Sequence, residues 1–296
     1  MLNQTRRDFL KTGSAAALLA STSLRSWAQT LHLPLGIQLY SVRDMLPNDY
    51  AGTLKKVGER GYKECESAGY YNHSASDVKS ALDAAGLKLV SAHYSMGVLQ
   101  QGVDDAIQFS KQLGTVEYII CSSPIPKPSS GQKQGEHTMT LEDWQWNAEQ
   151  LNKFGEKVHA AGLKFGYHNH YTEFKEVGGR SPYDELMHMT DPAKVHFEMD
   201  CGWVVVGGGD PVALLKKYAS RIVMLHVKDF KKPETPGARP VPSELGQGTI
   251  DYKPIFHQAA LSGHIKHVFV EQEAFDVPAW ESLKIDAEYM QGLGMK

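Results

Sequence analysis

Apolar and amphipathic stretches alternate along almost the whole chain. Leu35–Ser41, Tyr62–Ser67, Leu87–Ser95 and Val116–Ser123 are apolar runs of strand length. Each precedes a segment with helical spacing, namely Asp49–Arg60, Ser76–Ala85, Val103–Leu113 and Leu141–Ala161. The pattern continues with Leu163–His170 before Pro182–Met189 and Val195–Trp203 before Pro211–Ala219. Ile222–Phe230 then precedes Tyr252–Leu261, and His267–Glu273 precedes Pro278–Gly292. Eight strand-then-helix units with right-handed crossovers predict a parallel sheet closed on itself, an α/β (β/α)8 TIM barrel forming a single domain.

The punctuation agrees. Gly61, Gly86, Gly114, Gly162 and Gly263 fall between a helical pattern and the next strand, where a left-handed C-cap favours glycine. Pro182, Pro211 and Pro278 stand where they open helices. An open doubly wound sheet would carry a Gly-rich phosphate loop after its first strand, and Gln38-Leu39-Tyr40-Ser41-Val42-Arg43 is not one. Two long loops, Ser123–Thr140 and Lys231–Thr249, follow strands and therefore belong to the catalytic rim as expected lids.

Chemistry concentrates at the ends of the later strands. Tyr167-His168-Asn169-His170, Glu198-Met199-Asp200, His226-Val227-Lys228-Asp229 and Glu271-Gln272-Glu273 each close an apolar run. Alternation along a barrel strand turns His168, His170, Glu198, Asp200, His226, Lys228, Glu271 and Glu273 inward if Val195, Phe197, Met199, Val223, Leu225, Val227, Val268 and Val270 pack outward. An inward carboxylate or imidazole is costly unless paired or bound to metal. Oxygen and imidazole donors converging on one rim suit a divalent cation such as Mn²⁺, Zn²⁺, Mg²⁺ or Co²⁺. His168 and His170 serve in this reading either as ligands or as acid/base groups. Gln38, Tyr40 and His93, at the ends of the first and third strands, are expected to line the pocket with Trp203 and to bind substrate.

The ends and totals narrow the setting. Thr5-Arg6-Arg7-Asp8-Phe9-Leu10-Lys11 before the small apolar stretch Gly13–Leu24 and Ser26-Trp27-Ala28 reads as a twin-arginine leader over 1–28, with the barrel over 29–296 and a periplasmic destination. Removing Arg6, Arg7, Lys11, Arg25 and Asp8 takes the formal net charge from −3 to about −6. With no basic run, nucleic acid is not an expected partner, and stable membrane insertion is not expected after cleavage. The three cysteines, Cys65, Cys121 and Cys201, do not make a disulfide framework. Self-association into a homo-oligomer stays open.

Taken in order, the motifs at 167–174, Met199-Asp200-Cys201-Gly202-Trp203 with Gly209-Asp210-Pro211, His226-Val227-Lys228-Asp229, Gly246-Gln247-Gly248-Thr249-Ile250-Asp251 and Val270-Glu271 resemble the xylose-isomerase-like TIM-barrel superfamily, the sugar phosphate isomerase/epimerase-like group. The resemblance spans essentially the whole barrel. It implies one divalent ion held by Glu, Asp, His and Glu, placed on Glu173, Asp200, His226 and Glu271, with Lys228 and Glu271 sharing the catalysis with the two histidines. Epimerases of the family carry a histidine three residues after the metal aspartate, where this chain has Trp203. The resemblance implies an exported isomerase or epimerase acting by proton abstraction beside a carbonyl on an unphosphorylated sugar or keto-sugar. Its rivals are a lyase or hydrolase of 3-keto-glycosides, a nuclease of the AP-endonuclease type lacking the basic face such an enzyme needs, and a non-catalytic sugar-binding barrel.

Overall fold

The computed structural model describes residues 31–128, 139–233, 235, 238 and 240–296. The expected leader, 1–28, and the middle of the first long loop lie outside the described residues.

Eight parallel strands close a barrel, in chain order β1 Gly36–Gln38, β2 Glu64–Ser67, β3 Lys88–Ser95, β4 Tyr118–Ser122, β5 Lys164–His168, β6 His196–Asp200, β7 Ile222–Val227 and β8 His267–Val270. Every neighbouring pair is parallel, and β8 closes on β1 through Gly36 and Ile37. The outer ring is α1 Tyr50–Glu59, α2 Ala75–Ala85, α3 Met96–Leu113, α4 Leu141–Ala160, α5 Pro182–Met189, α6 Cys201–Val206, α7 Pro211–Lys217, α8 Tyr252–Ser262 and α9 Ala279–Gly292. Local chemistry accounts for their starts. Asp49, Ser74, Thr140, Ser181 and Asp251 each accept a backbone N–H in the first turn, and Thr140 with Asp143 forms a reciprocal capping box. α2, α3 and α8 end on Gly86, Gly114 and Gly263 in the left-handed region, as the sequence predicts.

The core has two parts. Outward strand residues such as Ile37, Cys65, Leu89, Phe165, Phe197 and Val268 pack against the helices. Inside, Val90, Tyr118, Ile120, Val223, Met224 and Phe269 form a separate plug. The plug therefore fills the barrel below its C-terminal rim, and a chamber opens above it.

Three local departures from the sequence reading have physical causes. Val223, expected outward, joins the plug because the β6–β7 register jumps from Phe197↔Ile222 to Glu198↔Met224, so Val223 is an unpaired bulge residue. The apolar run Val195–Trp203 is strand only to Asp200, whose side chain then caps α6. α3 starts at Met96 rather than Val103, and its first turn is set off by Gly102, which lies outside helical geometry (φ −162°, ψ 56°).

The long loop after β7 begins as a two-stranded antiparallel ribbon, Asp229–Phe230 against Pro242–Ser243. The start of the loop after β4 is pinned to α4, where Asn147 Nδ2 donates to the Ile125 carbonyl at 2.7 Å and Lys127 N donates to Asp143 Oδ1 at 2.8 Å. No helix among the described residues is long and apolar enough to cross a membrane.

Candidate metal centre and substrate cleft

Strand register decides which side chains meet. Asp200 stands opposite His226 across β6–β7, His168 opposite Glu198 across β5–β6, and His226 opposite Phe269 across β7–β8. The consequence is a buried group of four donors, His168, Asp200, His226 and Glu271, whose ligand atoms all lie within 4.8 Å of one another. A second grouping, His93, His168, Glu198 and His226, overlaps it.

Carboxylates hold both imidazoles, His168 through one nitrogen and His226 through both. His168 Nδ1 lies 2.9 Å from Glu198 Oε2, and its Nε2 is 3.7 Å from Asp200 Oδ2. That second gap is too long for a hydrogen bond. It is close to the separation of two donors on one tetrahedral ion, about 3.4 Å for bonds of about 2.1 Å. His226 Nε2 sits 3.1 Å from both Glu198 Oε2 and Glu66 Oε1, while its Nδ1 is 3.0 Å from Glu271 Oε2. Carboxylates on the far nitrogen are how a metal-binding histidine is commonly oriented.

Asp200 divides its oxygens. Oδ1 accepts the Trp203 backbone N–H at 2.7 Å. Oδ2 is fully buried with no hydrogen-bond partner among the described residues, as is Glu198 Oε1. Lys228 Nζ lies 3.0 Å from Asp200 Oδ2 but off the line of a hydrogen bond, 2.9 Å from Glu271 Oε2 and 2.6 Å from Glu273 Oε1. A buried acceptor left open beside two imidazoles and a second carboxylate fits a divalent ion with mixed nitrogen and oxygen ligands.

The electrostatics distinguish the four donors. Burial, then the neighbouring His226 and His93, hold His168 well below the usual histidine range, so it is a neutral donor. Burial works against the charge on His226, but Glu198, Glu271 and Glu66 push it well up. Burial and the nearby charge of Glu66 raise Glu198 to about 7. Burial raises Asp200 as well. For Glu271 burial acts upward, and Lys228 with His226 overcome it and hold the group well below the usual carboxylate range.

A cleft of about 1010 Å³ opens above the plug and is lined by Gln38, Tyr40, His93, His168, His170, Trp203 and Glu271, among others. The structure therefore brings Gln38, Tyr40 and His93 to the wall where the sequence put them. Tyr40 stays 43% exposed at the mouth, whereas Trp203 is 6% exposed. The indole lies 5.4 Å from Tyr171 and 4.9 Å from Phe230 between ring centroids, with Lys228 Nζ 5.2 Å from its ring. His170, lowered chiefly by burial, faces the cleft beside His168.

Glu173 is not brought into the donor group. Its Oε1 accepts from Tyr167 Oη at 2.6 Å and from His170 N at 2.9 Å, and its Oε2 accepts from Thr172 Oγ1 at 2.7 Å. Both oxygens are engaged in holding the turn after β5, and His168 takes the first place in the set of four. Glu66 was missed altogether by the sequence reading. The alternation that turned Glu198 and Asp200 inward, applied to Tyr62–Ser67 with Cys65 outward, would have exposed it.

Cys65, Cys121 and Cys201 are free and buried, and burial raises all three thiols far from nucleophilic character.

Comparison with known proteins agrees with this architecture. Residues 54–293 match the family model described as xylose isomerase-like TIM barrel. An inosose dehydratase of Clostridium beijerinckii is 27% identical over 253 residues, covering 76% of this chain and 83% of the relative. A sugar phosphate isomerase/epimerase of Parabacteroides distasonis superposes with a TM-score of 0.72 at 28% identity, over 87% of this chain and 98% of the other. A xylose isomerase-like barrel from Mycobacterium smegmatis, solved in complex with magnesium, shares the fold at a TM-score of 0.67 and 16% identity, over 88% and 97% of the two chains.

Proposed function

This chain belongs to the xylose isomerase-like TIM-barrel family, and from that premise we propose that it is a divalent-metal-dependent enzyme that removes a proton beside a carbonyl of an unphosphorylated sugar or keto-sugar, with elimination of a leaving group as the favoured outcome. The observation that carries the proposal is the convergence of His168, Asp200, His226 and Glu271 at the floor of a cleft, with Asp200 Oδ2 buried, free of any hydrogen bond among the described residues and met only by the charge of Lys228. Those four residues would hold the ion. Two imidazoles among the donors favour Mn²⁺, Co²⁺ or Zn²⁺ over Mg²⁺.

When bound, the ion would stabilise negative charge developing on a substrate carbonyl oxygen. His170, neutral through burial, takes the proton as the C–H bond breaks. The electron pair forms a C=C bond as the bond from the β-carbon to the leaving oxygen breaks. Lys228, kept cationic by Asp200, Glu271 and Glu273, presents N–H donors to oxygens of the substrate. Trp203 and Tyr171 offer a flat apolar wall for a sugar ring.

The sequence ranks isomerisation and epimerisation first. Two observations move the weight to elimination. Epimerisation needs proton-handling groups on both faces of the substrate, and an indole stands where the family's epimerases carry the second. The inosose dehydratases among the relatives are named for a lyase-type reaction. Incubating metal-loaded protein in D₂O with a 3-keto-glucoside and, separately, with free ketohexoses tests this. Release of aglycone with an unsaturated keto-sugar is expected. Deuterated, epimerised ketohexose without elimination would return the reading to epimerisation, and neither reaction would leave a sugar-binding barrel.

Export belongs to the same proposal and rests on Arg6-Arg7 and the stretch after them. Replacing both arginines by lysine should leave folded, uncleaved protein in the cytoplasm, detected by fractionation. Undiminished periplasmic protein would remove the twin-arginine assignment.

A further inference from the structure

The first half of the barrel contributes one fully buried carboxylate to the chamber, Glu66 on β2. Its contacts cross the lumen. Oε1 lies 2.9 Å from His93 Nδ1 on β3, 3.1 Å from His226 Nε2 on β7, and accepts from Gln38 Nε2 on β1. Oε2 accepts from Ser91 Oγ. Four hydrogen-bonding groups from three strands, β1, β3 and β7, thus converge on one side chain.

The chemistry of that set is selective. Gln38 Nε2 is a donor only, and each imidazole nitrogen must donate to be held by an oxygen that accepts. An ionised carboxylate, acceptor-only with lone pairs on both oxygens, suits such a ring of donors. For His226 the result is directional: Nε2 donates its N–H to Glu66, which turns the other nitrogen, Nδ1, toward Glu271 as the nitrogen that would meet an ion. The two groups that share Glu66 with His226, Gln38 and His93, line the substrate cleft. One side chain therefore joins the β1–β3 wall to the metal-facing histidine of β7.

We infer that Glu66 is a positioning residue: it sets the ring orientation of His226 for the metal and ties that orientation to Gln38 and His93 on the opposite wall. Glu198 cannot do this alone. It reaches His226 Nε2 at 3.1 Å and His168 at 2.9 Å, but among the described residues it makes no hydrogen bond to the β1–β3 wall, and its distance to His93 Nδ1 is 4.0 Å. The inference rests on the metal site proposed above and makes a claim that site does not need in order to exist.

The test measures Mn²⁺ affinity by competition with a chelating dye, for wild type, Glu66→Gln, Glu66→Asp and Ser91→Ala. Glu66→Gln keeps the size and removes the charge, and Glu66→Asp keeps the charge and shortens the reach. Affinity should fall roughly 10- to 100-fold in both, the usual cost of losing a carboxylate behind a metal-bound histidine. Ser91→Ala touches only the other oxygen and should stay within about threefold. Thermal unfolding of the metal-free proteins separates folding from positioning. In Co²⁺-loaded protein the visible spectrum of Glu66→Gln should also change, since it reports ligand geometry directly.

If wild type binds no metal, the site reading itself falls. If wild type binds metal and both Glu66 variants bind it equally well with an unchanged Co²⁺ spectrum, only this inference falls. If both variants lose the fold, Glu66 is a structural residue and the inference is overturned as well.

Discussion

Asp200 and Asp229 sit at the exits of neighbouring strands, and both are fully buried. Their surroundings are opposite. Asp229 Oδ1 accepts the backbone N–H groups of Phe230, Thr249 and Ile250 at 2.9, 2.9 and 3.0 Å, and Oδ2 accepts those of Gly246 and Gly248 at 3.1 and 3.0 Å. Five donors saturate it, and the Gly246–Ile250 loop closes around it. Asp200 keeps one oxygen for the Trp203 N–H and leaves the other open toward Lys228 and His168. Burial alone therefore does not mark a reactive carboxylate. The difference lies in the lone pairs that remain unspent.

The sharpest way to break the comparison is to convert each aspartate to its amide. In Asp229→Asn one oxygen becomes an NH₂ group facing two backbone donors. Two buried hydrogen bonds are lost, which should cost about 3 kcal/mol in denaturant unfolding. Asp200→Asn can still cap α6 through its remaining oxygen and removes a buried charge, so stability should change by less than about 1 kcal/mol. Equal destabilisation of the two would erase the distinction.

Gly248→Ala probes the saturated side from the loop. A β-carbon there would stand 2.2 Å from Asp229 Oδ1 and 2.7 Å from the Phe230 carbonyl oxygen. The clasp must open to admit it, at a cost of about 2 kcal/mol. An alanine variant as stable as wild type would show that the clasp yields easily.

A third buried aspartate gives the intermediate case. Asp286 accepts the Leu245 N–H at 2.7 Å through one oxygen, and the other has no hydrogen-bond partner among the described residues. Burial, with the charges of Glu244 and Asp229, raises it to about 7. The folded protein therefore holds this proton more tightly than the unfolded chain does. Its contribution to stability is full below pH 4 and is lost as pH rises toward 7. Asp286→Asn should match wild type near pH 4 and exceed it at pH 8 by on the order of 2 kcal/mol. A variant that tracks wild type at both pH values would place the open oxygen in contact with solvent.

The barrel was legible because eight alternations of period leave little else to build, and the glycine caps fell where they were expected. The inward faces of β5 and β6 were legible by parity. On β7, the bulge at Val223 hid one residue's direction while His226 and Lys228 still turned inward. What parity cannot give is cross-lumen geometry. Glu66 acts through a residue 160 positions away, and no local pattern carries that distance. Glu173 looked like a ligand because of its spacing after His-Asn-His, yet two hydroxyls and an amide N–H engage both its oxygens.

Metal titration of wild type, Asp200→Ala, His226→Ala and Asp229→Asn, each first stripped with chelator and checked for folding, tests the centre most directly. About one equivalent of Mn²⁺ or Zn²⁺ is expected in wild type and in Asp229→Asn, with no stoichiometric binding in Asp200→Ala or His226→Ala. Full occupancy in both of those variants would contradict the assignment and put the metal elsewhere.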